Sequence, residues 1–566
     1  MHKKLFVLLF LSFAVTLSSF AQTGWQWGVG STHPNTPYYG FDEQAAVLDR
    51  TGNIFVAGYG WGDSSIFGTL ALYNNMGYEP LVIVKIDSSG LYQWVTAVRH
   101  SNCNTGGMIT DRVGNLYVLV SSDSSVATID TFNLLNPLAP SQPAVFLMKL
   151  SPAGHALWVR TIGEVYFNTS NCVAIDGADN VYVTSDYPVG SLTLGSVVLS
   201  NWGIGDNVFV AKYDTAGNVI WAKGFGGSSI EFSAAITASA KGDVYFTGAS
   251  YSDSMSIGST KLYDTMNGGH PITFLAKLDS SGNPLWAISN KNRLNIYNMK
   301  TDLNSNIYIA GSCDTNVIYG TDTLPYVGNG DAFIAKFNPD GVFKWAKSVG
   351  DSGADAVYGM DIDACGKIWL CGQFGHNTTE YIMNFGGHVL TAPIIEEPTF
   401  IVNYDTSGNY DTSFYIPGGG DDFNNILVDN KSSFYVAGDY STVSVGLKFG
   451  PDTLIQNVGS EALFAAKYKY GSVICTRTEV EVFANTNEDI LLFPNPTNSY
   501  FTIKDNYLMT GNNKIELYDI TGKLVGNYVY NINVEFNIKN LSFGLYICKI
   551  TADDGNSFIK KLLIGK

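Results

Sequence analysis

The sequence predicts an all-β protein: a seven-bladed β-propeller with four-stranded blades, followed by a small Ig-like β-sandwich. Three observations predict it. One phrase recurs seven times, a second phrase alternates with it, and a lone tryptophan strand opens the chain where the last repeat lacks one.

The first phrase reads VLDRTGNIFVAG and returns as ITDRVGNLYVLV, AIDGADNVYVTS, TASAKGDVYFTG, KTDLNSNIYIAG, DIDACGKIWLCG and LVDNKSSFYVAG. Its first apolar residue after the turn falls at Ile54, Leu116, Val181, Val244, Ile307, Ile368 and Phe434, spacings of 61 to 66 residues. Self-similarity at a fixed period marks a repeat architecture. An acid closes the strand before the turn at Asp49, Asp111, Asp176, Asp302, Asp363 and Asp429, with Ser239 in the fourth copy. Asp-x-x-Gly has a plain role in a hairpin: Asp caps the turn and Gly takes the left-handed position. Repeated carboxylates are also what calcium would take, but the closing Glu of an EF-type loop is absent, so no cofactor is predicted.

The second phrase reads VIVKIDSSGLYQW, FLMKLSPAGHALW, FVAKYDTAGNVIW, FLAKLDSSGNPLW and FIAKFNPDGVFKW. A sixth copy carries Asn403 for Lys and Thr412 for Trp; a seventh, FAAKYKYGSV, stops before any tryptophan strand. Alternation puts Phe274, Ala276 and Leu278 on one face and Leu275, Lys277 and Asp279 on the other. The missing strand is Trp25-Gln26-Trp27-Gly28-Val29, because Trp27 precedes Trp94 by 67 residues, about one repeat. The N-terminal strand then completes the last blade, and ring closure hides the sheet edges. Each unit has strands a to d, tight a–b and c–d turns and a longer, variable b–c stretch. The repeated Trp reads as a wedge between blades.

Composition agrees and sets exclusions. Gly makes up 59 of 566 residues and Tyr plus Phe 65, while charged residues are only 15%. The balance of 33 basic to 50 acidic residues, net −17, excludes a broad nucleic-acid footprint. Met1–Gln22 has Lys3 and Lys4, an apolar run Leu5–Leu17 and the small-residue end Ser19-Phe20-Ala21. This is a signal peptide cut between Ala21 and Gln22, with an apolar run too short to span a bilayer. No other stretch reaches 18 apolar residues, so the mature chain is expected to have no transmembrane segment. The seven cysteines read as buried thiols, at least one of them unpaired within the chain.

The phrases FLAKLD..G...W and D..GN.Y..G resemble bacterial SBBP-type β-propeller repeats over about 25–470. The tail resembles the type A C-terminal sorting domain of the type IX secretion system of Bacteroidota. The matching residues are Phe493-Pro494-Asn495-Pro496, Ile515 to Asp519 with Gly522-Lys523, Gly544-Leu545-Tyr546 and Lys560-Lys561 to Ile564. The resemblance implies the type IX machinery at the outer membrane as partner, and a secreted or surface location after export to the periplasm. The expected domains are a signal peptide 1–21, a propeller 22–470, a linker 471–485 and a sorting domain 486–566.

No motif names a reaction. GxSxG, HExxH and P-loop patterns are absent, and no two histidines have zinc-ligand spacing. Asp214, Gly217 and Trp221 resemble the tryptophan-docking motif of quinoprotein dehydrogenases, but there is no vicinal cysteine pair and the blades number seven. Eight residues before the strand-a Asp position stand Glu231, Asp355 and Asp421, with Asp422 beside the last. The loop holding Tyr38 and Tyr39 shares that face. These six residues form the candidate binding face, suited to a cation or to sugar hydroxyls. The expected role is a non-catalytic binding or scaffold module that contacts a surface glycan or protein. The alternative is a glycan lyase or hydrolase using loop carboxylates, which a paired-carboxylate pocket would favour. A third reading is a structural spacer with no small ligand.

Overall fold

The computed structural model describes residues 24–32, most of 40–471 and most of 490–564, with short loop segments outside the described residues. The described part is all β, with no helix. It divides into two compact units, one from most of Met1–Arg477 and one centred on Thr478–Lys566.

Among the described residues the larger unit is built on seven four-stranded antiparallel sheets, two of them extended to six strands by a hairpin at the edge. The first is Gly40–Leu48, Ile54–Trp61, Leu81–Ile86 and Tyr92–Val98, paired in chain order. Five more repeat this meander, starting at Cys103, Val173, Glu231, Leu294 and Ala356. The seventh takes three strands from the end, Asn425–Val428, Ser433–Tyr440 and Ala462–Lys469. Its fourth is the N-terminal Gly24–Thr32, with Gly30 opposite Phe464 and Gly28 opposite Ala466. The first strands neighbour one another in order, and that of the seventh sheet returns to that of the first. Leu427, Tyr435 and Ala437 of the seventh share a core with Ile54, Val56 and Val84 of the first.

The a–b turns form as their residues dictate. Asp49 Oδ1 accepts the N–H groups of Thr51 and Asn53 at 2.9 and 3.0 Å, and Oδ2 accepts Asn53 Nδ2 at 2.7 Å. Asp111 and Asp302 repeat this with Asn115 and Asn306. The third residue after the acid has positive φ throughout: Gly52 at 89°, Gly114 at 86°, Gly366 at 82°, and without glycine Asp179 at 62°, Ser305 at 60° and Ser432 at 61°.

Strand c keeps the expected alternation, with Phe274, Ala276 and Leu278 packed into one core and Leu275 into the next. Ile272–Leu278 is buried at every position, Lys277 included, because it is a central strand covered on both faces. The b–c stretch holds more structure than expected. Each repeat inserts a two-stranded hairpin there, such as Ser64–Phe67 with Leu70–Tyr73 and Ser254–Ile257 with Thr260–Tyr263. One face is buried, through residues such as Phe67 and Met255. Four hairpins are seen to pair with strand d of the preceding sheet: Ser31 with Phe67, Arg99 with Thr128, Gly226 with Ser256 and Gly350 with Asn384.

The smaller unit has two sheets. One is Ile490–Phe493, Tyr500–Asp505 and Phe536–Asn537; the other orders Leu524–Tyr530, Asn513–Tyr518, Gly544–Thr551 and Ser557–Ile564. They share a core that includes Phe501, Ile515, Leu517, Phe536 and Cys548.

The thiol expectation needs one correction. Cys103, Cys172, Cys313, Cys371 and Cys548 are buried thiols outside any disulfide, but Cys365 is disulfide-bonded. It sits in an exposed tight turn after Asp363, where a thiol has no apolar shelter. Cys475 lies outside the described residues.

Candidate functional site

Three arrangements in the larger unit use polar chemistry: the seams between sheets, the acids at the start of strand a, and a cavity among the first strands.

The seams explain the repeated Trp, Lys and Gly together. Trp27, Trp94, Trp158, Trp221, Trp286 and Trp345 each donate the indole N–H to a carbonyl in the c–d turn of the next sheet, at 3.0 to 3.2 Å. The turn glycine lies flat against the ring; a Cβ on Gly282 would stand 2.8 Å from Trp221. The strand-c lysine reaches the same carbonyls: Lys85 to Pro152 at 3.0 Å, Lys336 to Thr406 at 2.6 Å. Its ammonium rests on a strand-b ring, as Lys149 does on Tyr117 at 4.7 Å, while Asp111 lies 3.3 Å away. The expected wedge is therefore also a hydrogen-bonded clasp.

The seam after the sixth sheet is built otherwise. Thr412 replaces the Trp, and its N–H bonds to Asn403, which replaces the Lys, at 3.1 Å. The seventh sheet has no c–d turn to receive an indole, because the chain leaves there. Tyr470 fills the place, 4.7 Å from the Trp369 ring and donating its hydroxyl to Asp363 at 2.7 Å. Tyr468 stacks on Phe434 at 4.9 Å.

Of the candidate face, Glu231 and Asp355 are described; Asp421, Asp422, Tyr38 and Tyr39 lie outside the described residues. Glu231 begins its strand fully buried rather than in an open loop. Oε1 accepts Ser250 Oγ at 2.8 Å and Ser252 Oγ at 2.5 Å; Oε2 accepts Asn207 Nδ2 at 3.1 Å and Gly227 N–H at 3.0 Å. Four donors satisfy the carboxylate and pin the third sheet to the fourth. Asp355 is 2% exposed and Asp331 1%. Both crowd Gly350, where a Cβ would come within 2.6 Å of Asp355 Oδ2 and 3.2 Å of Asp331 Oδ1. A sugar ring cannot enter between them. Among the described residues no group of three or more His, Cys, Asp or Glu is placed to hold a metal.

The cavity, of about 240 Å³, draws its wall from all seven first strands. In the first and fourth sheets it uses the later part of the strand, such as Val47 and Ile236, whereas Glu231 opens the fourth sheet's strand at its other end. Among the described residues of the wall Lys300 is the only ionisable one, and Asn298 lines it close by. Sequence reading passed over both. The signal was there: where Lys300 stands, most other copies carry an apolar residue such as Val47, Ile109, Ala174 or Leu427.

In the smaller unit, Lys523 closes a turn, its N–H on Asp519 at 3.1 Å, and Tyr546 is buried with its hydroxyl on Ser542 O at 2.8 Å. Gly544 and Leu545 pair with Ile564 and Leu563, and Lys560 and Lys561 with Cys548 and Ile547. Pro494, Asn495, Pro496 and Gly522 lie outside the described residues, as do Ala21 and Gln22 of the expected leader cut.

Fold and site together define an all-β repeat protein with a small appended β domain. The appended domain matches the model of the secretion system C-terminal sorting domain over residues 491–565. That domain directs a protein through type IX secretion to the cell surface or beyond. The chain is also 23% identical over 446 residues to a WD repeat-containing protein of Acanthamoeba polyphaga mimivirus, covering 65% of this chain and 32% of that one. It thus spans about a third of that relative's length. Similar solved structures include a member of the DUF4221 family from Bacteroides vulgatus, at 9% identity and TM-score 0.29, covering 79% of this chain and 98% of that one. Another is the extracellular domain of a protein named as a one-component system of B. thetaiotaomicron, at 12% identity and TM-score 0.16, covering 94% and 99%. No helix among the described residues is long and apolar enough to cross a membrane.

Proposed function

We propose that residues 22–470 form a seven-bladed β-propeller of SBBP type, closed by its N-terminal strand. In this reading 1–21 is a cleaved signal peptide, 471–485 a linker and 486–566 an Ig-like sorting domain. The propeller acts at the cell surface as a non-catalytic binding or scaffold module for a glycan or a protein. One observation carries the choice of binding over catalysis: the two described acids of the candidate face are sealed. Glu231 is 0% exposed with four donors on it, and Asp355 with Asp331 is closed to solvent. A glycosidase needs two carboxylates that flank a reachable bond.

The test is a melting screen of the mature full-length protein with calcium, EDTA and surface polysaccharides, run beside an assay for new reducing ends. Ligand at 100 times its dissociation constant adds about 2.7 kcal/mol to the native state. A raised melt without new ends supports the reading, and polysaccharide cleavage rejects it.

A further inference from the structure

The axial cavity contains a cation and an acceptor that the fold leaves unused. Lys300 lines the wall, partly buried, and no hydrogen bond or ion pair engages it among the described residues. Asn298 is 5% exposed; its Nδ2 donates to Tyr358 O at 3.4 Å, and its Oδ1 accepts nothing. Buried acceptors are rarely left so, and a lone one in a cavity wall asks for a donor from within the cavity. The neighbouring acid does not answer the lysine. Asp361, at the matching position of the next sheet, gives its Oδ2 to Val428 N–H at 2.9 Å and is not part of the wall. In a chain of net charge −17, a wall whose described residues hold one lysine and no acid is a local exception that suits an anion.

We propose that this cavity binds a small hydroxylated carboxylate, with its charge on Lys300 and one of its hydroxyls donating to Asn298 Oδ1. Both requirements fall on one molecule: Lys300 asks for an anion and Asn298 for an O–H. The hydroxyls of Thr237 and Thr301 in the same wall serve further oxygens, and Met108, Met299 and Met360 offer polarizable walls to its C–H face. The cavity volume of about 240 Å³ admits one sugar-acid ring and no oligomer. The inference rests on the binding reading above and gives it a site and a ligand class.

The experiment is calorimetric titration of the mature full-length protein with glucuronate, glucose and acetate. Glucuronate is expected to bind one to one. Glucose, without the charge, and acetate, without the hydroxyls, are each expected to bind at least about tenfold more weakly. Lys300→Met should lose about tenfold or more in glucuronate affinity, and Lys300→Arg should retain most of it. Asn298→Leu tests the second contact, with its melt checked first; if that variant fails to fold, Lys300→Met still decides. A heat-silent glucuronate titration, or equal binding by Lys300→Met, overturns the proposal. If polysaccharide binding survives in Lys300→Met while glucuronate never binds, the site falls and the surface-binding reading stands. If nothing binds in either experiment, both fall.

Discussion

At the scale of the residue, the turns separate what glycine supplies from what other residues tolerate. Ser305 and Ser432 hold the left-handed conformation that glycine holds in sister turns. That conformation costs an L-residue about 1–2 kcal/mol. Ser305→Gly is therefore expected to raise stability, by up to about 1 kcal/mol once the added freedom of the unfolded glycine is deducted; a urea midpoint that falls contradicts this. Glu231 predicts the opposite sign. Glu231→Ala leaves Asn207, Ser250, Ser252 and the Gly227 N–H without their acceptor. Each buried orphan costs about 1–3 kcal/mol, so the variant should melt far below the parent, with Glu231→Gln between the two. The Asp turns were legible because donor and acceptor lie within four residues of each other. Glu231 was not, because three of its four partners, Asn207, Ser250 and Ser252, lie 19 to 24 residues away and only the fold brings them together.

At the scale of the element, the four strands of each unit were legible from turns and markers, and the hairpins were not. A hairpin such as Ser254–Tyr263 shows only a few residues of alternation per strand, below what periodicity resolves. Its two faces predict different outcomes. Met255→Ala removes a side chain that is 0% exposed in the core beside Phe246 and Phe274, and should cost about 2–5 kcal/mol. Tyr263→Ser, at a position 55% exposed on the same hairpin, should change stability by less than about 0.5 kcal/mol. Thermal melts of the pair check both. Alternation puts the lysine of strand c on the face of Leu275, but does not show what covers it. It is buried because a carbonyl, an acid and an aromatic face receive it from two sheets. Thr412, which looked like decay of the repeat, matches the absence of a c–d turn beyond it.

At the scale of the whole molecule, the N-terminal strand decides whether the ring is closed. Deleting residues 24–32 removes the pairing partner of Ala462–Lys469 and the Trp27 clasp on Ser88. The exposed edge should pair between molecules, so size-exclusion chromatography is expected to show species larger than the parent, with the parent's elution restored by a synthetic Gly24–Thr32 peptide. Stability should also form a dome in pH. Burial alone would raise the carboxyls of Asp49, Asp87, Asp214, Asp279 and Asp405, but turn hydrogen bonds outweigh it and hold them below the ordinary value of 3.8. Their contribution is complete above about pH 4 and is lost as pH falls through the lowered values. Burial pushes the thiols of Cys103, Cys172, Cys313 and Cys548 up to about 12. Unfolded thiols ionise near about 8.5, so stability is lost as pH rises beyond that. Melts from pH 3 to 10 should show both flanks.

The pairing of Gly24–Thr32 with Ala462–Lys469 also sets a clock. The earlier strand waits for a partner more than four hundred residues behind it in the chain. Contacts so distant in sequence form slowly, because the intervening chain must be brought together first. Six sheets can assemble as they are made, each from adjacent segments. The seventh cannot be finished until the chain is complete through Lys469. The sorting domain is made later still, which places the export label behind the strand that completes the seventh sheet.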